Sequence, residues 1–352
     1  MPSRSDGPDV LEAPRVSSRL GSDLRAGCPE EKGARTGPRV SAAWRWRGVL
    51  VGRPHLAGEN PAGADRNWRA IAQAAMRRAP ALHMGLLFLF FVAAGGLLVP
   101  LFTPYAPDQL LPGARLQPPG LTHPFGTDSL GRDLLTRVAY GSHLAARIAF
   151  MGVGISLAVG LVLGSLAGYY RGWTDQLLSR TMDGWLALPG ALVAIVIVAR
   201  LGASLENLIL ALGVMGVPAF YRMVRNTTLS CRQMPYAEAA MALGATDRRV
   251  MWSHVFPNIL SPLIVLVTLR LGTVLLTGSS LSFIGLGAQP PAPEWGSLLS
   301  TGRNYLDSAW WLAVFPGLAV TFTVVGLNLF GDGLRDLLDP RQNEGSAGSE
   351  DR

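Results

Sequence analysis

From Met84 to Pro107 the chain runs 24 residues without a single Asp, Glu, Lys or Arg. A helix of about 20 apolar residues crosses the hydrocarbon core of a bilayer, so this window is long enough for one span. Comparable windows run from Ile148 to Tyr170 and from Ser308 to Gly331, and shorter ones from Gly184 to Ala199 and from Asn207 to Tyr221. Val255 to Ala292 is interrupted only by Arg270 and supplies a further helix and a loop. In lipid every backbone N–H and C=O must be satisfied within the segment, which for such runs means helix. The expected fold is therefore an all-α polytopic membrane protein with six transmembrane helices. Only 16% of the 352 residues are charged, against roughly 25% in soluble domains.

Arg77 and Arg78 precede the first window, and Arg222, Arg225, Arg232, Arg248 and Arg249 lie between the fourth and fifth. Placing both clusters in the cytoplasm satisfies the positive-inside rule and, with six spans, puts both termini there. Residues 1–75 are rich in Arg, Gly, Pro, Ser and Ala with little apolar periodicity. They read as a disordered cytoplasmic extension or as the product of a misassigned start, with Met76 an alternative beginning. The spanning domain covers 76–341, and 342–352 form a polar tail.

Between the fourth and fifth windows, the loop at residues 222–257 holds Tyr236-Ala-Glu-Ala-Ala-Met-Ala-Leu-Gly244, then Ala-Thr-Asp-Arg-Arg-Val-Met-Trp-Ser-His254, and closes on Phe256-Pro257, with Asn258 just beyond it. Ala-rich Tyr236–Leu243 predicts a short helix. Gly244 suits the left-handed residue that ends it, and Thr246 or Asp247 can cap the next. Pro257 is expected to break the chain before the following apolar run. The result is an Arg-bearing cytoplasmic elbow.

Gly160, Gly164 and Gly168 share one face of the second span, a spacing that lets helix backbones approach closely in lipid. Pro189 and Pro218 are candidate kinks in the third and fourth spans. His123, Asp128 and Asp133 sit in an external loop where their spacing matches no common metal-ligand set, and Pro124, Gly126 and Gly131 look like turn formers, so a structural role is expected of the loop. Trp295, Trp310 and Trp311 suit the membrane–water interface.

Several function classes are excluded. The formal charge of +7 rests almost wholly on arginine, Lys32 being the single lysine, and no aromatic-plus-basic cluster sits on a nucleic-acid fold. Cys28 and Cys231 are too separated to suggest a disulfide or metal site. No Gly-x-x-x-x-Gly-Lys-Ser/Thr motif is present for ATP, and no Ser/His/Asp or Cys/His set converges on a catalytic site.

The elbow resembles the EAA loop of bacterial ABC-importer permeases, matching it at Glu238, Ala239, Ala240, Gly244 and Pro257. Three further stretches narrow the resemblance to the C-type permease of the dipeptide/oligopeptide/nickel group. These are His123-Pro-Phe-Gly-Thr-Asp-Ser-Leu-Gly-Arg-Asp133, Leu281-Ser-Phe-Ile-Gly-Leu-Gly287 with Trp295-Gly296, and Gly331-Asp-Gly-Leu-Arg-Asp-Leu-Leu-Asp-Pro340. The resemblance spans roughly residues 76–341 and implies the ABC type I importer permease fold in a bacterial inner membrane. It implies a heterodimer with a B-type permease, two ATPase subunits that carry ATP and Mg, and an extracytoplasmic substrate-binding protein. The chain itself would bind no cofactor. Tyr236, Glu238, Ala239, Ala240 and Gly244 would belong to the ATPase-coupling loop, together with Ala245, Arg248, His254, Pro257 and Asn258. Peptides, nickel complexes, glutathione-like and opine-like solutes are all compatible with this group.

The chain departs from the pattern in places. Gly278-Ser279 stands where the family often has Glu-Ala, Ser253 and Phe256 replace the usual Arg and Leu, and Arg270 interrupts an apolar run. A mid-membrane charge costs at least about 2.5–3.5 kcal/mol on insertion scales. Arg270 should therefore face a cavity or a partner, and with Gly278 it is a candidate for the translocation path. The rival readings are a secondary transporter, disfavoured by spans nearly free of carboxylates, a membrane-embedded enzyme, which would need polar groups facing one another at membrane depth, and a sensory or scaffold membrane protein.

Overall fold

The computed structural model describes residues 80–338. The extension at 1–75, the tail at 342–352 and Pro340 lie outside the described residues. In chain order the helices are α1 (Pro80–Phe102), α2 (Leu134–Tyr170), α3 (Gly172–Leu186), α4 (Gly190–Leu201) and α5 (Leu205–Arg232). The short α6 (Pro235–Ala242) leads to α7 (Asp247–Phe283), followed by α8 (Trp295–Gly302) and α9 (Trp311–Leu338). Five of these, α1, α2, α5, α7 and α9, are long and apolar enough to cross a membrane, and α3 with α4 makes a sixth if the pair is one span. That pair is bent by 88° at the break before Pro189. Pro189 thus ends one helix and opens the next, whereas Pro218 sits inside a continuous α5.

The expected second span, Ile148–Tyr170, is only the inner part of a 37-residue helix. Its outer turns carry Arg137, which is buried because it donates to the carbonyls of Pro107 (2.9 Å) and Pro291 (3.3 Å). Charge did not end the helix because the loops supply acceptors for it. Asp133 caps the outer end, accepting from the Thr136 backbone N–H at 2.8 Å and from its hydroxyl at 2.7 Å.

The core is the crossing of α2 and α5. A methyl group at Gly160 would stand 2.4 Å from Phe220 Cβ, at Gly164 2.8 Å from the Tyr221 carbonyl, and at Gly168 2.6 Å from that of Arg225. The four-residue glycine repeat is therefore a packing groove for α5. Ser156 closes the same seam by donating to the Gly213 carbonyl at 2.6 Å. A second close crossing, α1 on α9, places Gly333 against Leu82 and Gly85 against Phe330.

The tryptophan expectation needs correction. Trp310 is half exposed, but Trp295 and Trp311 are buried. Their indole N–H groups donate inward, to the carbonyls of Val138 (2.8 Å) and Thr127 (3.2 Å), so Trp295 pins the start of α8 to α2 and Trp311 pins the start of α9 to the loop before α2. A buried indole needs such an acceptor, and the loops provide one.

Candidate functional site

The elbow between α5 and α7 is built much as its residues suggest. Pro235 opens α6, where its missing N–H is harmless. Gly244 ends the helix at φ +81°, the left-handed region. Thr246 stands at the start of α7 with extended backbone, yet its side chain makes no capping hydrogen bond. The carboxylate of Asp247 is engaged elsewhere, accepting from the Tyr169 hydroxyl at 2.7 Å.

Pro257 does not break the chain. The helix runs from Asp247 to Phe283, passing through a π-helical turn at Met251–Val255 in which the Phe256 N–H donates to the Met251 carbonyl. A proline lacks the N–H of an α-helical turn and its ring presses on the carbonyl four residues back; the wider turn just before it makes room.

The elbow has an inner and an outer face. Ala237, Val250, Val255 and Ile259 are buried, with Ala240, Met241 and Ala245 partly so against the core. Glu238, Ala239, Arg248 and Arg249 are exposed, and Glu238, Arg248 and Arg249 form no ion pair among the described residues. Alongside them Leu243 is 89% exposed and Trp252 61% exposed, an apolar pair that the sequence reading did not single out. Their burial could not be judged from composition, because an Ala-rich helix shows no strong apolar stripe.

Three of the expected residues meet directly. Asn258 donates from its amide to the Tyr236 hydroxyl (3.3 Å) and to the His254 carbonyl (2.6 Å), and the Tyr236 and His254 rings lie 5.8 Å apart. Partial burial, with the Cys231 thiol beside it, pushes the Tyr236 phenol above its ordinary range, so it remains a neutral hydroxyl. The described elbow thus combines hydrogen-bonded polar side chains with an exposed apolar pair.

The two residues proposed for a path lie apart from the elbow on α7. Arg270 is half-buried, and its guanidinium has no hydrogen-bond or ion-pair partner among the described residues. Gly278 is buried; a methyl group there would stand 3.0 Å from Ile148 Cγ2 and 3.1 Å from Leu212 Cδ1, so helix packing accounts for its size. A largely apolar cavity of about 410 Å³ lies between α1, α2 and α9, and its lining includes neither residue.

In the loop between α1 and α2, Asp133 also pairs with His123 Nδ1 at 2.9 Å. Asp128 accepts from the backbone N–H groups of Leu130 and Arg132 and pairs with the Arg132 guanidinium at 2.7 Å. These side chains hold the loop and the start of α2, in keeping with the structural role expected of this segment.

Residues 160–344 match the family model of the binding-protein-dependent transport system inner membrane component. The chain is 43% identical to the dipeptide transport system permease protein DppC of Alkalihalophilus pseudofirmus, over 73% of this chain and 85% of that one. It is 37% identical to the glutathione transport system permease protein GsiD of Pectobacterium atrosepticum, over 85% and 98%. Identity to a putative peptide transport system permease protein of Brucella suis is 42%, over 77% and 90%. A chain of the MetNI methionine ABC transporter in an inward facing conformation superposes with a TM-score of 0.47 at 19% identity, over 58% of this chain and 96% of that one. Matching that family model over residues 160–344 and these permease relatives over most of their length, this chain belongs to the inner membrane components of binding-protein-dependent transport systems and is a permease subunit of an ABC importer.

Proposed function

We propose that this permease imports di- or oligopeptides, or a peptide-like solute such as glutathione, across the bacterial inner membrane. Its relatives named for dipeptide, peptide and glutathione transport support that solute class, and nickel complexes are the second possibility. It pairs with a B-type permease, receives solute from an extracytoplasmic binding protein and is driven by two ATPase subunits that hold ATP and Mg. The elbow is the contact with an ATPase subunit, carried by Glu238 to Gly244 and the start of α7. Both termini are cytoplasmic, on the side of the elbow and its arginines.

The observation that carries this reading is the exposed Leu243 beside Gly244 and Trp252. An 89% exposed leucine at the tip of a cytoplasmic turn is a poor surface for water but a good anchor for a groove. Closing of the ATPase dimer on ATP would pull this tip, and α6 with α7 would shift between two states of the spans. A Leu243→Cys variant carrying a short photo-crosslinker should join to an ATPase subunit in membranes. Crosslinks only to lipid or to unrelated soluble proteins would count against the contact.

A further inference from the structure

Tyr169, next to last in α2, ties together three segments far apart in the sequence. Its ring is 1% exposed. Its hydroxyl donates to Asp247, the first residue of α7, at 2.7 Å. Its backbone carbonyl accepts from the guanidinium of Arg232, the last residue of α5, and that guanidinium carbon stands 4.7 Å over the Tyr169 ring. The end of α5, the start of α7 and the end of α2 therefore converge on one buried tyrosine.

We propose that Tyr169, Asp247 and Arg232 are positioning residues that carry the motion of the elbow to α2. This rests on the elbow's reading as the ATPase contact. A neutral hydroxyl on a carboxylate makes a charge-assisted hydrogen bond, stronger than one between neutral groups. Because the tyrosine ring cannot swing out of its packing, displacing Asp247 either breaks that bond or moves the inner end of α2. Helix α2 is 37 residues long, about 55 Å at 1.5 Å per residue. It is rigidly seated along α5, and its outer end is held by Asp133 and His123. A shift at Tyr169 would thus reach the external loops. The sequence held no local sign of the link, since the hydrogen-bonded pair is 78 residues apart.

The test uses the assembled complex in lipid with nitroxide labels at Leu130→Cys and Leu306→Cys, both exposed positions in external segments, on a background lacking Cys28 and Cys231. Distances are measured by pulsed electron resonance before and after trapping with ATP and vanadate. In the otherwise unaltered complex the distance changes on trapping. Tyr169→Phe, which removes only the hydroxyl and keeps the ring under Arg232, assembles and traps nucleotide but abolishes that change. Asp247→Ala does the same, and Asp247→Asn, which keeps an acceptor oxygen, retains most of it. An unchanged distance in the unaltered complex, a full change in Tyr169→Phe, or loss of assembly in Tyr169→Phe each overturns the proposal. Failure of the elbow reading itself shows earlier, as a complex with no ATPase subunit and nothing to trap.

Discussion

Asn258 reaches back from the foot of α7 to the hydroxyl of Tyr236 at the start of α6, 22 residues earlier in the chain. That contact closes the elbow into a loop with a fixed base, leaving Leu243 and Gly244 at its free tip. The base is held by side chains, while the Leu243 side chain at the tip is left 89% exposed, as the proposed docking role requires.

Replacing Gly244 by valine isolates the tip. A methyl group there would meet nothing within 4 Å, so space inside the chain is no obstacle. The backbone at φ +81° is the obstacle, and a β-branched residue there costs about 1–2 kcal/mol or more. The variant should insert at normal levels and lose uptake. Radiolabelled dialanine or glutathione uptake by cells, alongside immunoblots of membranes, checks both halves.

Replacing Gly164 by leucine acts differently. The Tyr221 carbonyl and Val224 Cβ lie 2.8 and 2.9 Å from the new Cβ, and one of the two is backbone that cannot turn aside. Over-packing of this kind costs about 1–3 kcal/mol, and more where backbones must separate. The purified chain should lose thermal stability in detergent whether or not a partner is present; an unchanged melting temperature would contradict the account of the α2–α5 seam.

The six-span reading was legible because a bilayer permits so few solutions. The outer third of α2 escaped it, since Arg137, His143 and Arg147 look like the end of a span. Arg137 is accommodated instead by carbonyls of distant loops, and Arg147 by Glu206 at 3.4 Å. Pro257 misled for a related reason: local rules say that proline stops a helix, while a π-helical turn lets this one continue. The turn at Gly244 was readable locally, as a left-handed residue closing an Ala-rich helix. The partner of Asp247 was not, because no periodicity reports a tyrosine 78 residues away.

Glu294 gives a pH dependence. It is 1% exposed at the start of α8, accepts from the Ser297 N–H at 2.9 Å through one oxygen, and leaves the other buried without a partner. Burial raises its pKa above the ordinary glutamate value, despite hydrogen bonds that oppose the shift. A carboxyl raised on folding is stabilising while protonated, below its unfolded pKa, and that contribution is lost as pH rises through the folded value. Glu294→Gln keeps an acceptor for Ser297 and cannot ionise. It should match the original chain in acid and exceed it in stability above neutral pH, as read by thermal unfolding across a pH series. Equal slopes for the two chains would contradict the assignment.

Arg270 has no partner among the described residues, and the proposal for it is a partner on another subunit or on the solute. Arg270→Ala should therefore reduce either heterodimer recovery or uptake, the first marking a structural pair and the second a place on the path. Co-purification with the partner permease and uptake of an acidic and a neutral dipeptide separate them; normal values for both would remove Arg270 from either role.

The most direct measurement is ATPase activity of the reconstituted complex in lipid, recorded with uptake, for the original chain and for Glu238→Ala and Gly244→Val. The elbow account predicts that ATPase subunits co-purify with the original chain, and that both variants lose ATP-coupled uptake although the membrane chain is present in equal amount. If no ATPase subunit associates under mild extraction, or if both variants hydrolyse ATP and transport as the original does, the elbow is not the coupling element.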